Sequence, residues 1–215
     1  MILYLLRHGE TDYNNKHVFQ GIIDVPLNEA GRAQAKEAKL EAAGRGLSFD
    51  EVFCSPLIRA QETCEIISGI PREKFHLDNR LMEMSFGDLE GTTFNAEKLE
   101  HLSDPANYLN YCGEHHCETF YEVADRCGSF LDDMKKMAKE AQDRGEEDRE
   151  RKILVGSHGA AIRGMLMALG VLTIGEVWGQ KVGNCAMFEI SLVDEEWKLT
   201  RSFLKEDAFA RKGNN

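Results

Sequence analysis

Three places in this chain set basic or polar side chains directly after a short apolar run. They are Leu6-Arg7-His8-Gly9, Cys54-Ser55-Pro56 running on into Arg59, and Gly156-Ser157-His158-Gly159. Arginine offers a planar fork of donors that matches the oxygens of a phosphate or a carboxylate. Histidine can act as nucleophile, acid, base or phosphate ligand near neutral pH. One histidine after a strand is ordinarily a capping or packing residue. Two His-Gly pairs, each closing a buried strand, form a more specific pattern. In an open α/β sheet, ligands collect beyond the carboxyl ends of the strands, so the three places can converge on one site. Arg59 would fall in the first turn of its helix, where free backbone N–H groups add partial positive charge.

The elements that must position these groups follow from local patterning. Residues 2–6 form a continuous apolar run, the mark of a strand buried on both faces. Asn28 is suited to cap a helix running to about Ala43 and stopping at Gly44. Residues 51–54 read as a second strand, and Ser55-Pro56 as a helix start, with a hydroxyl cap followed by proline at the first helical position. That helix ends near Gly69, and 75–78 read as a third strand. Residues 79–117 look irregular. From Glu118 an amphipathic helix places Phe120, Val123, Cys127, Phe130, Leu131 and Met134 at three- and four-residue steps. Residues 144–151 are a mixed-charge run expected to form a solvated loop. Residues 152–156 form another buried strand, with a helix to about Leu169 after it. Residues 185–193 and 197–204, separated by Asp194-Glu195-Glu196, suggest a hairpin. The expected fold is α/β, a three-layer sandwich with a mostly parallel central sheet flanked by helices.

The chain has 215 residues, 26 of them basic and 37 acidic, for a net charge of −11. Such a surface disfavours nucleic acid or anionic lipid as a partner, although a pocket inside it can still be cationic. The N-terminus does not read as a secretory signal, and no run approaches the roughly 18 apolar residues that span a bilayer. Six scattered cysteines are therefore expected to be reduced thiols in a cytoplasm, with no membrane association.

The motifs carry a family resemblance. Leu5-Leu6-Arg7-His8-Gly9-Glu10-Thr11 with Asn14 resembles the signature of the histidine phosphatase superfamily, which includes the cofactor-dependent phosphoglycerate mutases. Phe19-Gln20-Gly21 with Asp24 to Asn28, and Ser55 to Ala60 with Thr63, resemble the family's next blocks. Leu81-Met82-Glu83 with Phe86-Gly87 resembles its acidic block, and Ser157-His158-Gly159 its second histidine block. The resemblance implies a phosphoglycerate mutase-like fold and a single domain over 1–215, with 92–117 as a lid or specificity segment. It implies His8 as the nucleophile, forming a phosphohistidine. Arg7, Arg59 and His158 would surround the phosphoryl oxygens, and Asn14 would hydrogen-bond the phosphate. Glu83 would serve as general acid and then base. Gln20 and Gly21 are candidate substrate contacts, and the Thr11 hydroxyl a minor one.

No cofactor or metal is expected. Cys112, His115, His116 and Cys117 lie within six residues, but their spacing matches no common zinc pattern, and four ligands so close in sequence would strain a tetrahedron. The resemblance implies instead that this stretch, just before Glu118-Thr119, borders the site's mouth, where His115 or His116 would shape substrate choice. The mutases of this family usually carry an arginine- and tyrosine-rich acidic block and a basic insertion. Here the block reads Met82 to Asp88, and Lys98 is the only fixed cation in 92–117. The expected activity is therefore hydrolysis of a small-molecule phosphate monoester, with mutase activity as the alternative and an inactive phosphate-binding module behind it. The hairpin edge could also pair with a second copy to form a homodimer.

Overall fold

The computed structural model describes residues 1–145 and 151–203. Six strands form one sheet: β1 Ile2–Arg7, β2 Glu51–Cys54, β3 His76–Leu77, β4 Lys152–Ser157, β5 Met187–Val193 and β6 Glu196–Phe203. Their order is β3-β2-β4-β1-β5-β6. The first four run parallel, and β5 and β6 are antiparallel to their neighbours. The helices are α1 Asp12–Asn15, α2 Glu29–Gly44, α3 Ile58–Ser68, α4 Ala96–Ser103, α5 Tyr108–Glu114, α6 Phe120–Asp143 and α7 Gly159–Ala168. The expected α/β sandwich with a mostly parallel sheet is the fold found.

Both faces of β1 are buried, which is why residues 2–6 are apolar without alternation. Leu3 and Leu5 join one core with α6 and α7, while Tyr4 and Leu6 join the other with α2 and α3. The sheet is thus the middle of three layers. Helix α6 buries the stripe read from its periodicity, including Phe120, Val123, Cys127 and Phe130. Each such side chain contributes roughly 1.5–3 kcal/mol. Thr119 and Glu122 close a reciprocal capping box at its start. Asn28 caps α2 as expected, accepting the N–H of Gly31 at 2.8 Å.

Three expectations need correction. Helix α3 begins at Ile58, and Ser55 does not cap it. Asp24 accepts the Ile58 N–H at 2.7 Å instead, which frees the Ser55 hydroxyl for a contact in the site. Residues 79–117 are not irregular throughout, for they hold α4 and α5. These helices have eight and seven residues, too short to stand alone, and form because Leu102, Tyr108 and Cys112 insert into the core. The hairpin turn is tighter than three residues: Asp194 and Glu195 alone make it, with φ of 52° and 60°, as a primed two-residue turn requires. Most of the charged run 144–151, and position 204 of the hairpin, lie outside the described residues. Among the described residues no helix is long and apolar enough to cross a membrane, and all six cysteines are free and buried.

Candidate active site

The strand register brings the three sequence motifs together. Leu6 pairs with Gly156 and Arg7 with Ser157, while Cys54 also pairs with Gly156. The carboxyl ends of β1, β4 and β2 therefore finish level. The chain stays paired past the strands, since His8 N–H donates to Ser157 O at 3.2 Å and Ser55 N–H to Gly156 O at 2.9 Å. Helix α2 presses on the first motif from outside. A Cβ on Gly9 would come within 2.6 Å of the Gly31 carbonyl, so both positions need glycine for backbone to touch backbone.

A cavity of about 410 Å³ opens at this end of the sheet. Arg7, His8, Asn14, Gln20, Gly21, Arg59 and Glu83 all line it. His158 does not. It lies fully buried behind His8, with ring centroids 5.1 Å apart.

His8 Nδ1 lies 2.7 Å from the Gly9 carbonyl oxygen. A carbonyl can only accept, so the proton of the neutral ring sits on Nδ1 and the lone pair on Nε2. Burial, then Arg59 and Arg7, hold the His8 pKa well below 6.5, which keeps the ring neutral. Burial lowers His158 in the same way, followed by Arg59, His8 and Arg7. His158 Nε2 lies 2.8 Å from the Ser55 hydroxyl, and its buried Nδ1 has no partner among the described residues.

Arg59 is fully buried, donating to the carbonyls of Ile23 and Gly21, each at 2.8 Å. Burial brings its pKa down to about 10. Arg7 donates to the Val182 carbonyl. The Nε atoms of both arginines are buried and have no partner among the described residues. Buried donors left unpaired ordinarily cost about 1–3 kcal/mol each. Such donors around one histidine make a ready cradle for an oxyanion.

Glu83 reaches across from its loop to cap α7. Its Oε1 accepts the N–H groups of Met84, Ala160 and Ala161, each at 3.0 Å, whereas Oε2 has only a 3.3 Å contact with Ala160. Asn14 Oδ1 accepts the Thr11 N–H at 3.1 Å, and the Thr11 hydroxyl donates to Gln20 Oε1 at 2.8 Å. Thr11 is fully buried and shapes this loop rather than the cavity.

Several site residues carry no local signal in the sequence. Arg126 of α6 donates to the carbonyls of Arg80, Met82 and Glu83 at 2.6, 2.8 and 3.2 Å, while pairing with both oxygens of Glu118. It thereby holds the loop that carries Glu83. Asn184 donates to His8 O at 3.1 Å and to Asn14 Oδ1 at 3.4 Å. Arg163 and Trp178 line the cavity beside them. A helical arginine and a loop tryptophan look alike in any sequence, and only the fold shows where they face.

The residues of the Cys/His cluster go to different partners. His115 packs on Tyr111, His116 Nδ1 lies 2.7 Å from Asp88, and the Cys117 thiol donates to Phe86 O at 3.0 Å. Neither histidine lines the cavity. His116 faces a neighbouring one of about 460 Å³ that shares Glu83.

A family profile described as the histidine phosphatase superfamily, branch 1, matches residues 3–204. The chain belongs to that superfamily. Within the superfamily it is 32% identical over 199 residues to the uncharacterized phosphatase PhoE of Bacillus subtilis, covering 91% of this chain and 90% of that one. It is also 32% identical to a 2,3-bisphosphoglycerate-dependent phosphoglycerate mutase of Mesorhizobium japonicum, over 78% and 80% of the two chains. The phosphoserine phosphatase of Entamoeba histolytica, solved with 3-phosphoglyceric acid, superposes with a TM-score of 0.74 at 25% identity, covering 95% of this chain and 98% of that one. Histidine phosphatase relatives thus include both hydrolases and mutases, and support a phosphatase or mutase enzyme here.

Proposed function

We propose that this chain hydrolyses a small-molecule phosphate monoester through a phosphohistidine on His8, without a metal ion. The observation that carries the reading is the Nδ1 contact of His8 with the Gly9 carbonyl, which leaves a neutral Nε2 lone pair beside two buried arginines. Nε2 attacks phosphorus as the bond to the leaving oxygen breaks. Arg7 and Arg59 stabilise the charge that develops on the phosphoryl oxygens. His158 Nδ1, if Ser55 donates to Nε2, carries a proton and can add a third donor. Asn14 is held by Thr11 and Asn184 with its Nδ2 available to the phosphate, and Gln20 and Gly21 complete that wall.

Glu83 delivers its proton from Oε2, the less occupied oxygen, to the leaving alkoxide. The α7 amides then stabilise the resulting carboxylate. In the second step Glu83 takes a proton from water as the water oxygen attacks phosphorus. The P–N bond breaks, orthophosphate leaves, and Glu83 is protonated again. The whole chain acts as one catalytic unit in this reading, because residues from 7 to 184 line the cavity. Segment 92–117 serves as its specificity wall through Phe94 and Leu99.

A mutase would have to hold a second phosphate. The 92–117 wall offers it no cation, since Lys98 bonds Thr92 and Thr93 instead. The test is turnover of p-nitrophenyl phosphate with chelator present, together with acid-labile versus base-stable trapping of the phosphoenzyme. His8→Ala is expected to abolish both. Persisting turnover in that variant overturns the nucleophile assignment, and phosphoglycerate interconversion dependent on bisphosphoglycerate would favour the mutase.

A further inference from the structure

The cysteine pair at the end of α5 has no part in the proposed reaction. Helix α5 closes with a Schellman turn. Cys117 N–H donates to the Cys112 carbonyl at 2.8 Å and His116 N–H to the Gly113 carbonyl at 3.4 Å. His116 takes φ of 54°, the left-handed position that ends such a turn and brings the side chains on either side of it into contact. The 2.8 Å bond, with the fixed lengths of the backbone, keeps the Cα atoms of Cys112 and Cys117 within about 6.7 Å. A disulfide spans about 4.4–6.8 Å between Cα atoms, so this pair can close with little movement of the chain.

The two sulfurs differ in access and in charge. Cys112 is fully buried, whereas Cys117 is 9% exposed and lines the open cavity of about 460 Å³ beside Glu83. The two thiols hydrogen-bond each other. The Tyr108 hydroxyl accepts the Phe120 N–H at 2.6 Å and gives its own proton to Cys112. The bonds from Cys117 and Tyr108 lower the Cys112 pKa against the effect of burial, while the bond to Cys112 and burial raise that of Cys117. The pair therefore stabilises one negative charge, which proton transfer between the sulfurs can bring to Cys117 at the cavity wall. Cys54 and Cys64 also lie with sulfurs 3.8 Å apart, but both are fully buried and line neither cavity.

Cys117 also braces the loop that follows Glu83. Its thiol donates to the Phe86 carbonyl at 3.0 Å, Glu118 N–H to the Ser85 carbonyl at 2.8 Å, and Asp88 N–H to the His115 carbonyl at 2.9 Å. The two segments meet backbone to backbone, since a Cβ on Gly87 would stand 2.2 Å from the His115 oxygen. A disulfide removes the Cys117 proton and with it the donor to Phe86.

We propose that Cys112 and Cys117 form an oxidisable dithiol, a modification site at which a hydroperoxide closes a reversible disulfide and loosens the loop behind Glu83. The Cys117 sulfur takes the terminal oxygen as the O–O bond breaks, giving a sulfenic acid and an alcohol, or water from hydrogen peroxide. The Cys112 sulfur then attacks the Cys117 sulfur, the S–O bond breaks, and water leaves. The two thiols lose two electrons to the peroxide bond, and their two hydrogens end in the alcohol and the water.

Treatment of the reduced protein with hydrogen peroxide tests this. Both cysteines fall in one tryptic peptide, 99–126, which should become two hydrogens lighter and regain them with dithiothreitol. A 54–64 disulfide would instead join two peptides. The peptide mass is read without reference to activity. The effect on turnover rests on the phosphatase reading. On that reading kcat for an alkyl phosphate such as glycerol 3-phosphate should fall about fivefold, as for one lost hydrogen bond, and less on p-nitrophenyl phosphate. Dithiothreitol should restore both. Cys112→Ser and Cys117→Ser, each judged against its own untreated activity, should show no loss that dithiothreitol reverses. Retention of both thiols in peptide 99–126 overturns the proposal, as does a disulfide at 54–64 alone. A 112–117 disulfide with unchanged kcat on both esters overturns the link to the loop. The wild-type peptide mass decides even if the serine variants fail to fold. If the reduced protein turns over neither ester, the phosphatase reading falls, and the peptide mass still decides the site.

Discussion

At the scale of single residues, the site is an arrangement of what each group is forbidden to do. Burial, then Arg59 and Arg7, disfavour a second proton on His8, and its one proton faces the Gly9 carbonyl, so the Nε2 lone pair is left for the nucleophilic role proposed above. Glu83 has one oxygen saturated by three amides and one nearly free, which in the proposed mechanism separates anchoring from proton transfer. General acid catalysis is worth about 10²–10⁴-fold, and matters most when the leaving group is a poor one. Glu83→Gln is therefore expected to lower kcat on an alkyl phosphate by about 10²-fold or more. The loss on p-nitrophenyl phosphate should be much smaller. Arg126→Gln should show the same leaving-group pattern in milder form, because it loosens the carbonyls that aim Glu83. A uniform loss on both esters would show that Arg126 serves stability alone. Steady-state kinetics on the two esters reads all of this.

At the scale of elements, positioning depends on close backbone contacts more than on side-chain packing. Helix α2 meets the His8 loop through Gly31, where a Cβ would overlap the Glu10 carbonyl oxygen. Neither partner there is a side chain able to swing aside. Gly31→Ala is expected to cost about 1–3 kcal/mol, as overpacking does. It should also impair turnover by displacing Glu10, two residues after His8. Thermal unfolding and p-nitrophenyl phosphate kinetics on the same sample check both. An unchanged melting temperature would mean that the helix slides without penalty. The short helices α4 and α5 show the opposite dependence, since their formation relies on Leu102, Tyr108 and Cys112 finding the core.

At the scale of the whole molecule, a net charge of −11 surrounds a cavity lined by three arginines that have no ion-pair partner among the described residues. The contrast suits a small anion and disfavours a polyanion. The buried neutral histidines also give the protein an acid liability. His8 and His158 have pKa values well below 6.5 in the native state and return to about 6.5 when unfolded. Below pH 6.5 the unfolded chain therefore binds protons that the native state refuses. Stability falls as pH falls there, by up to about 1.4 kcal/mol per pH unit for each histidine. The melting temperature is expected to drop steadily between pH 6.5 and 5, before the carboxylates titrate. A flat profile in that window would show that the two rings are not held neutral.

Local patterns by themselves determined much of this protein. The buried strands, the Asn28 cap, the stripe of α6 and the Arg-His and His-Gly endings are legible because each depends on residues near in sequence. The sequence also misled where a local signal was overridden from afar. Ser55-Pro56 has the form of a helix start, yet Asp24 caps α3 and Ser55 turns to His158. Only the tertiary structure decided which side chains complete the cavity. Arg126, Arg163, Trp178 and Asn184 lie far along the chain from His8, in helices and loops with no distinguishing motif. They reach the site because β1, β4 and β2 end level and α6 and α7 pack over one face of the sheet. That proximity arises from register and packing between distant segments, which no short stretch of sequence encodes.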